Sequence, residues 1–249
     1  MAQLDWTENA GNLDSSTVAR GVTAGTAPPN GGGSFVYGFN SLSTSLGAVG
    51  LYVNATGNSG ANALFAPMQT DANIATGGSV RGALVRGVSA EPQTGFAPML
   101  YINCKSGLTS NPNVTDTAYL LGLEDANPHR IVLRKGPLNG GLSVDTSLST
   151  LAVSSNAFSP GTWVHLRMDA IFNQNGDVVL LVYQNDLTVN TVTAPVWLPV
   201  AGMATVVDDA LAVNTGTTPL SGGFAGYAFY SAALQKRAYV DQLEVLRQK

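Results

Sequence analysis

Apolar and polar residues alternate most regularly between residues 163 and 172. Val164, Leu166, Met168, Ala170 and Phe172 are apolar, and His165, Arg167 and Asp169 between them are polar. A period of two places one face of a strand on a core and the other toward water or a shallow groove. The turn residues Asn173, Gln174, Asn175, Gly176 and Asp177 then interrupt the pattern, and Asn175-Gly176 suits positive φ angles. Residues 178–183 are apolar on both faces, as in an inner strand covered on both sides. A hairpin of this kind predicts a second sheet that buries its apolar face.

Further strand-like runs recur along the chain. Residues 34–40, 46–54, 80–89, 96–103, 118–124, 130–135, 222–231 and 239–247 read as strands bounded by turn residues. Residues 55–77 and 105–117 are polar or small and read as loops, and residues 136–160 as short edge segments. A weak Thr/Val strand is expected around residues 188–193, within a loop carrying Pro195, Pro199 and Pro219. A helical turn is expected only at residues 232–237. About ten short strands without helical periodicity predict an all-β sandwich of two antiparallel sheets.

Residues 1–33 have little periodicity and end in Pro28-Pro29 and the run Gly31-Gly32-Gly33. They read as an extended N-terminal arm ahead of a sandwich domain at residues 34–249. Leu4, Trp6, Leu13 and Val18 are the arm's docking residues, candidates for an assembly interface with a neighbouring copy. The other reading is that the arm covers an edge of its own sheet.

Composition changes the picture in one respect. Charged residues make up 11% of the 249 residues, against roughly 25% in ordinary soluble domains. The polar surface is therefore built from Ser, Thr, Asn, Gln and Gly, which suits extracellular and particle-assembled β proteins. The net charge of −4 and the absence of a basic cluster argue against nucleic acid as a partner. The lone cysteine, Cys104, allows no intrachain disulfide and reads as a small buried hydrophobe. With no secretory signal and no run of about 20 apolar residues, the expectation is synthesis in a cytoplasm, no membrane, and retention there or export inside a larger particle.

The second half resembles the concanavalin A-like, laminin-G-like jelly roll. Four pieces carry the resemblance. They are Ala118-Tyr119-Leu120-Leu121-Gly122-Leu123; Arg130 to Gly136; Gly161-Thr162-Trp163-Val164-His165-Leu166-Arg167 with its following Gly176-Asp177-Val178 strand; and Gly222 to Tyr227 with Tyr239-Val240-Asp241 to Val245. They span about half the chain and speak to fold rather than function. The Gly-, Ala-, Asn- and Thr-rich first hundred residues resemble virion structural proteins of tailed bacteriophages.

Candidate chemistry is sparse. Glucanases with this sandwich carry alternate carboxylates on one strand, and no such strand is present. Glu124-Asp125 and Asp208-Asp209 read as solvated acids at turns. Asn173, Asn175 and Asp177 have the alternate oxygens of a calcium loop, but a hairpin turn requires the same residues. His129 and His165 lack partners for a catalytic zinc. There is no nucleophile elbow, and Gly31-Gly32-Gly33-Ser34 opens no helix that could cradle phosphate. His165 reads as a solvated or groove residue, and Trp197, flanked by prolines, as the best exposed aromatic. Together they are the candidate glycan contacts.

These observations lead to a non-enzymatic structural protein of a phage particle, without cofactor or metal. Its expected partners are its own copies and other virion proteins, and its expected location is the virion. The alternative is a lectin-like carbohydrate-binding module that recognises a cell-surface glycan.

Overall fold

A computed structural model describes residues 2–8, 20–21, 42–47, 50–55, 61–70, 78–86, 96–105, 117–124, 128–137, 150–159, 162–191, 194–209, 218–231 and 236–248. In chain order the strands are β1 (Ala2–Glu8), β2 (Arg20–Gly21), β3 (Leu42–Gly47), β4 (Gly50–Ala55), β5 (Ala61–Thr70), β6 (Gly78–Arg86), β7 (Phe96–Lys105) and β8 (Thr117–Leu123). They continue as β9 (Arg130–Pro137), β10 (Thr150–Ala157), β11 (Trp163–Phe172), β12 (Val178–Asn185), β13 (Trp197–Pro199), β14 (Val206–Asp208), β15 (Gly223–Ser231) and β16 (Lys236–Gln248). A ten-stranded sheet has the order β13-β12-β11-β6-β16-β4-β3-β2, with β1 beside β16 and β14 beside β12. A six-stranded sheet has the order β10-β9-β8-β7-β15-β5. The pairings are antiparallel, and the described residues contain no helix.

The alternation in β11 lands as predicted. Val164, Leu166, Met168 and Ala170 join Val80 and Leu84 of β6 and Val178, Leu180 and Val182 of β12 in the core between the sheets. Leu100, Ile102, Tyr119, Leu121, Leu123, Ile131 and Leu133 meet them from the six-stranded sheet. Met99, Tyr101, Ala118, Leu120 and Val132, at the opposite parity, are also fully buried. That accounts for the apolar runs of β7 and β8 and for Ile131-Val132-Leu133 in β9, since a stretch buried on both faces has no polar side to alternate with.

Several elements depart from the pattern reading. Of the expected arm, Ala2–Glu8 runs antiparallel to Leu243–Gln248 of β16, and Arg20–Gly21 pairs with β3. Leu4 and Trp6 thus stand in register with Leu246 and Val245 on either side of a bulge, while Leu13 and Val18 lie outside the described residues, as does the strand expected at 34–40. The single strand expected at 46–54 is a hairpin, β3 and β4, closed by Gly47 opposite Gly50. Residues 61–70, expected as loop, form the edge strand β5. Its Pro67 falls at the irregularity between Phe65 and Met68, and edges and bulges are where a strand tolerates a residue that cannot donate to the ladder. Residues 186–190 are a turn rather than a strand, because Oδ1 of Asp186 accepts from N and Oγ1 of Thr188 at 2.9 and 2.7 Å and curls the backbone. The expected helical turn at 232–235 lies outside the described residues, and Lys236 already belongs to β16.

Candidate functional site

The odd positions of β11 lie on the face of the ten-stranded sheet turned away from the core. Register makes them neighbours of residues far away in sequence. Arg167 stands opposite Tyr183 of β12 and opposite Arg81 of β6. His165 stands opposite Asn185, which in turn stands opposite Trp197 of β13. Four residues along β11 from His165, Asp169 accepts a bidentate pair from Arg167, Nε to Oδ1 at 2.8 Å and Nη2 to Oδ2 at 2.7 Å. Such a fork holds the guanidinium plane in place. The Arg167 guanidinium lies 5.4 Å from the Tyr183 ring centroid and that of Arg81 5.9 Å from the Trp197 centroid, both within cation–π range.

His165 is the centre of this patch and is not solvated. It is 1% exposed, and its ring lies 4.6 Å from that of Trp197 at an interplanar angle of 60°. Three bonds orient the Asn185 amide. Oδ1 accepts from the backbone N–H of Val196 at 3.0 Å, while Nδ2 donates to the Thr191 carbonyl at 3.1 Å and meets Nδ1 of His165 at 3.1 Å. Nδ1 is therefore the acceptor, and in the neutral ring the proton sits on Nε2. That Nε2 is buried and has no hydrogen-bond partner, a state that carries a desolvation cost. Burial, and then the Arg81 charge, hold the imidazole down to a pKa of about 4, so it is neutral at pH 7.

The carboxylates expected at turns behave differently. Asp208 is on β14, 1% exposed, and its Oδ2 accepts from Nζ of Lys135 at 2.7 Å and from the Tyr119 hydroxyl at 2.6 Å. Lys135 also donates to the Thr218 carbonyl at 2.9 Å, and the Leu220 N–H donates to the Tyr119 oxygen at 2.9 Å. Burial, followed by the Asp208 bond, pushes the Tyr119 phenol far up. This cluster ties β8 and β9 of one sheet to β14 of the other. Glu124, 2% exposed, accepts from the backbone N and Nε of Arg130 at 2.9 and 3.2 Å. Asp125 lies outside the described residues, and Asp209 is half-buried. Reading Glu124 and Asp208 as solvated is thus corrected: each has cationic and hydrogen-bonding partners that make burial tolerable.

The loop at 173–177 is a hairpin turn. Oδ1 of Asn173 accepts from the backbone N–H of Asn175 and of Asp177, both at 2.9 Å, and Nδ2 donates to Asp177 at 2.9 Å. Gly176 takes φ +90°, the left-handed region that glycine enters freely. Of the oxygens considered for calcium, Oδ1 of Asn173 and Oδ2 of Asp177 are thus engaged in the turn. Among the described residues no group of three or more His, Cys, Asp or Glu could hold a metal ion.

The two candidate glycan contacts, His165 and Trp197, are thus brought together, although His165 lies beneath the indole rather than in water. Arg81, Tyr183 and Asn185 escaped the sequence reading because cross-strand register is invisible in a single chain. For Arg167 and Asp169 the signal was the polar parity of β11. Trp197 sits on a strand that two prolines had marked as loop.

No protein-family profile matches the chain, and no curated protein matches it. Solved structures do. The exoplasmic/lumenal domain of VIP36 in its Ca2+-bound form superposes with a TM-score of 0.50 at 14% identity, over 84% of this chain and 82% of that one. The fold is a legume-lectin-like, concanavalin A-like jelly roll. The carbohydrate recognition domain of Emp47p gives 0.49 at 11% identity, over 94% and 97% of the two chains. The alginate lyase Aly36B gives 0.48 at 11% identity, over 97% and 96%.

Proposed function

We propose that this chain is a carbohydrate-binding domain whose glycan platform is the outer face of the ten-stranded sheet around Trp197. The observation that carries this reading is the indole held against His165 and Arg81, beside the Arg167–Asp169 fork and Tyr183. An aromatic ring immobilised next to planar, pre-oriented hydrogen-bonding groups is what a sugar needs, because a pyranose has an apolar face and a rim of hydroxyls. The patch binds rather than reacts: Nδ1 of His165 is engaged, the ring is neutral, and the Asp169 carboxylate is held by Arg167. The VIP36 likeness supports the reading at the level of fold. The test is retention on a glycan array. The wild-type chain should bind at least one glycan class, and Trp197→Ala should weaken it at least tenfold without releasing reducing sugar from the same glycans. Absence of binding by the wild-type chain would refute the reading.

A second reading, a subunit of a phage particle that contacts copies of itself and other virion proteins, rests on the low charge content and on exposed Val189, Val196, Leu198 and Val207 at the β13 and β14 edge. Apolar side chains without charge are cheap to desolvate on assembly. Stoichiometric recovery of the protein from purified particles tests it.

A further inference from the structure

On the opposite side of β13 from Trp197 the two sheets part. The inward stripe of β12, Val178, Leu180 and Val182, continues at the same parity into Gln184. Leu198 of β13 stands opposite Gln184 and is 58% exposed. At this point the sandwich opens into a cleft of about 250 Å³ bounded by Gln184, Asp186, Leu198, Asn156 of β10 and Ile131 of β9. The cleft is built rather than incidental. The Ser155 N–H donates to the Ala201 carbonyl at 3.0 Å and ties β10 to the turn after β13. Gly202 in that turn has φ +88°, and a Cβ there would come within 3.0 Å of the Val153 carbonyl, so the turn is seated on β10 as only glycine permits.

We propose that this cleft is a second carbohydrate subsite that takes one neutral pyranose ring, an inference that rests on the carbohydrate-binding reading above. Its volume is below the ~300–1,000 Å³ of pockets that enclose drug-sized ligands, which suits a ligand of one ring or slightly more. Ile131 and Leu198 give the ring an apolar wall. The side-chain amides of Asn156 and Gln184 make no hydrogen bond to another described residue. An amide both donates and accepts, as sugar hydroxyls do. Asp186 uses only Oδ1 in its turn with Thr188, which leaves Oδ2 as a further acceptor. Thr188 holds that carboxyl below its usual range, so it is anionic at pH 7, and an anionic ligand would meet it unfavourably. Consecutive residues of β13 thus serve two faces: Trp197 serves the platform and Leu198 the cleft.

The experiment is a titration of the full-length, isotope-labelled chain with methyl glycosides of glucose, mannose, galactose and N-acetylglucosamine, following the side-chain amide signals of Asn156 and Gln184 and the indole signal of Trp197. At least one glycoside should move both amides with a midpoint in the millimolar range, as expected for so small a ligand. Gln184→Ala should weaken that response at least fivefold, and Asn173→Ala, in the hairpin turn outside both sites, should leave it within twofold. A glycan of several sugars should bind more tightly than the matching methyl glycoside if the subsite takes a glycan terminus, and equally if it takes a free monosaccharide. If glycosides or glycans move only the indole signal, the cleft proposal is wrong and the platform reading stands. If no saccharide moves any of these signals, both are wrong.

Discussion

Two buried polar clusters in this molecule are built to opposite standards. Between the sheets, Tyr119, Lys135 and Asp208 complete one another: the carboxylate accepts from both partners, and the ammonium also reaches a backbone carbonyl. On the outer face, His165 is as deeply buried as Asp208, yet its Nε2 has no partner. A closed cluster of charges is a fastener. Removing one member strands another, but there is no spare valence for a ligand. An open cluster carries a standing desolvation cost, and such sites gather where binding takes place. The contrast separates the structural acids of this chain from its candidate binding groups better than exposure does.

Breaking the closed cluster should have the largest effect. Asp208→Ala leaves Lys135 charged and buried without its carboxylate and is expected to cost about 3–5 kcal/mol of folding stability, measured by chemical denaturation at pH 7. The double variant Lys135→Met with Asp208→Leu should recover at least half of that loss, since removing both charges removes the stranded one. A loss below about 1 kcal/mol in the single variant would place the pair in effectively wet surroundings and erase the contrast.

The open cluster should announce itself through pH. Because the folded pKa of His165, about 4, lies below the ordinary 6.5, the unfolded chain binds more protons between these values. Its contribution is complete above pH 6.5 and is lost as pH falls toward 4, with a slope approaching about 1.4 kcal/mol per pH unit. His165→Phe should flatten this part of the stability profile, and an unchanged profile would mean that the imidazole is not the titrating group. Trp197→Ala opens the ring to water, so the His165 pKa should climb back toward 6.5 by at least one unit in a proton NMR titration. A histidine that stayed near 4 without the indole would show that some other group shields it. The smallest expected effect is at the hairpin. Asn173→Ala removes an acceptor of two backbone N–H groups and should cost about 1 kcal/mol. Millimolar calcium should leave the melting temperature of the wild-type chain unchanged, since Oδ1 of Asn173 and Oδ2 of Asp177 already serve the turn.

Much of the fold was legible because strand periodicity is local. The parity of β11 was readable from ten consecutive residues, and so were its partner β12 and the turn between them. The edge strands β5 and β13 were not, because small residues and prolines read as loop unless a neighbouring strand recruits them. Glu124 and Asp208 were misread for the same reason. Nothing within a few residues of Asp208 announces Lys135, 73 positions away, or Tyr119, 89 positions away.

The sequence by itself determined the all-β class, the face of β11 that meets the core, and a surface poor in charge, because alternation and composition need no partner to be read. Only the tertiary structure decided that His165 lies beneath Trp197, that Ala2–Glu8 joins the sheet beside β16, and that the inward stripe of β12 opens at Gln184 into a cleft. Each of these depends on which strands become neighbours and in which register. That choice is made by the burial of the whole core at once rather than by any single segment of the chain.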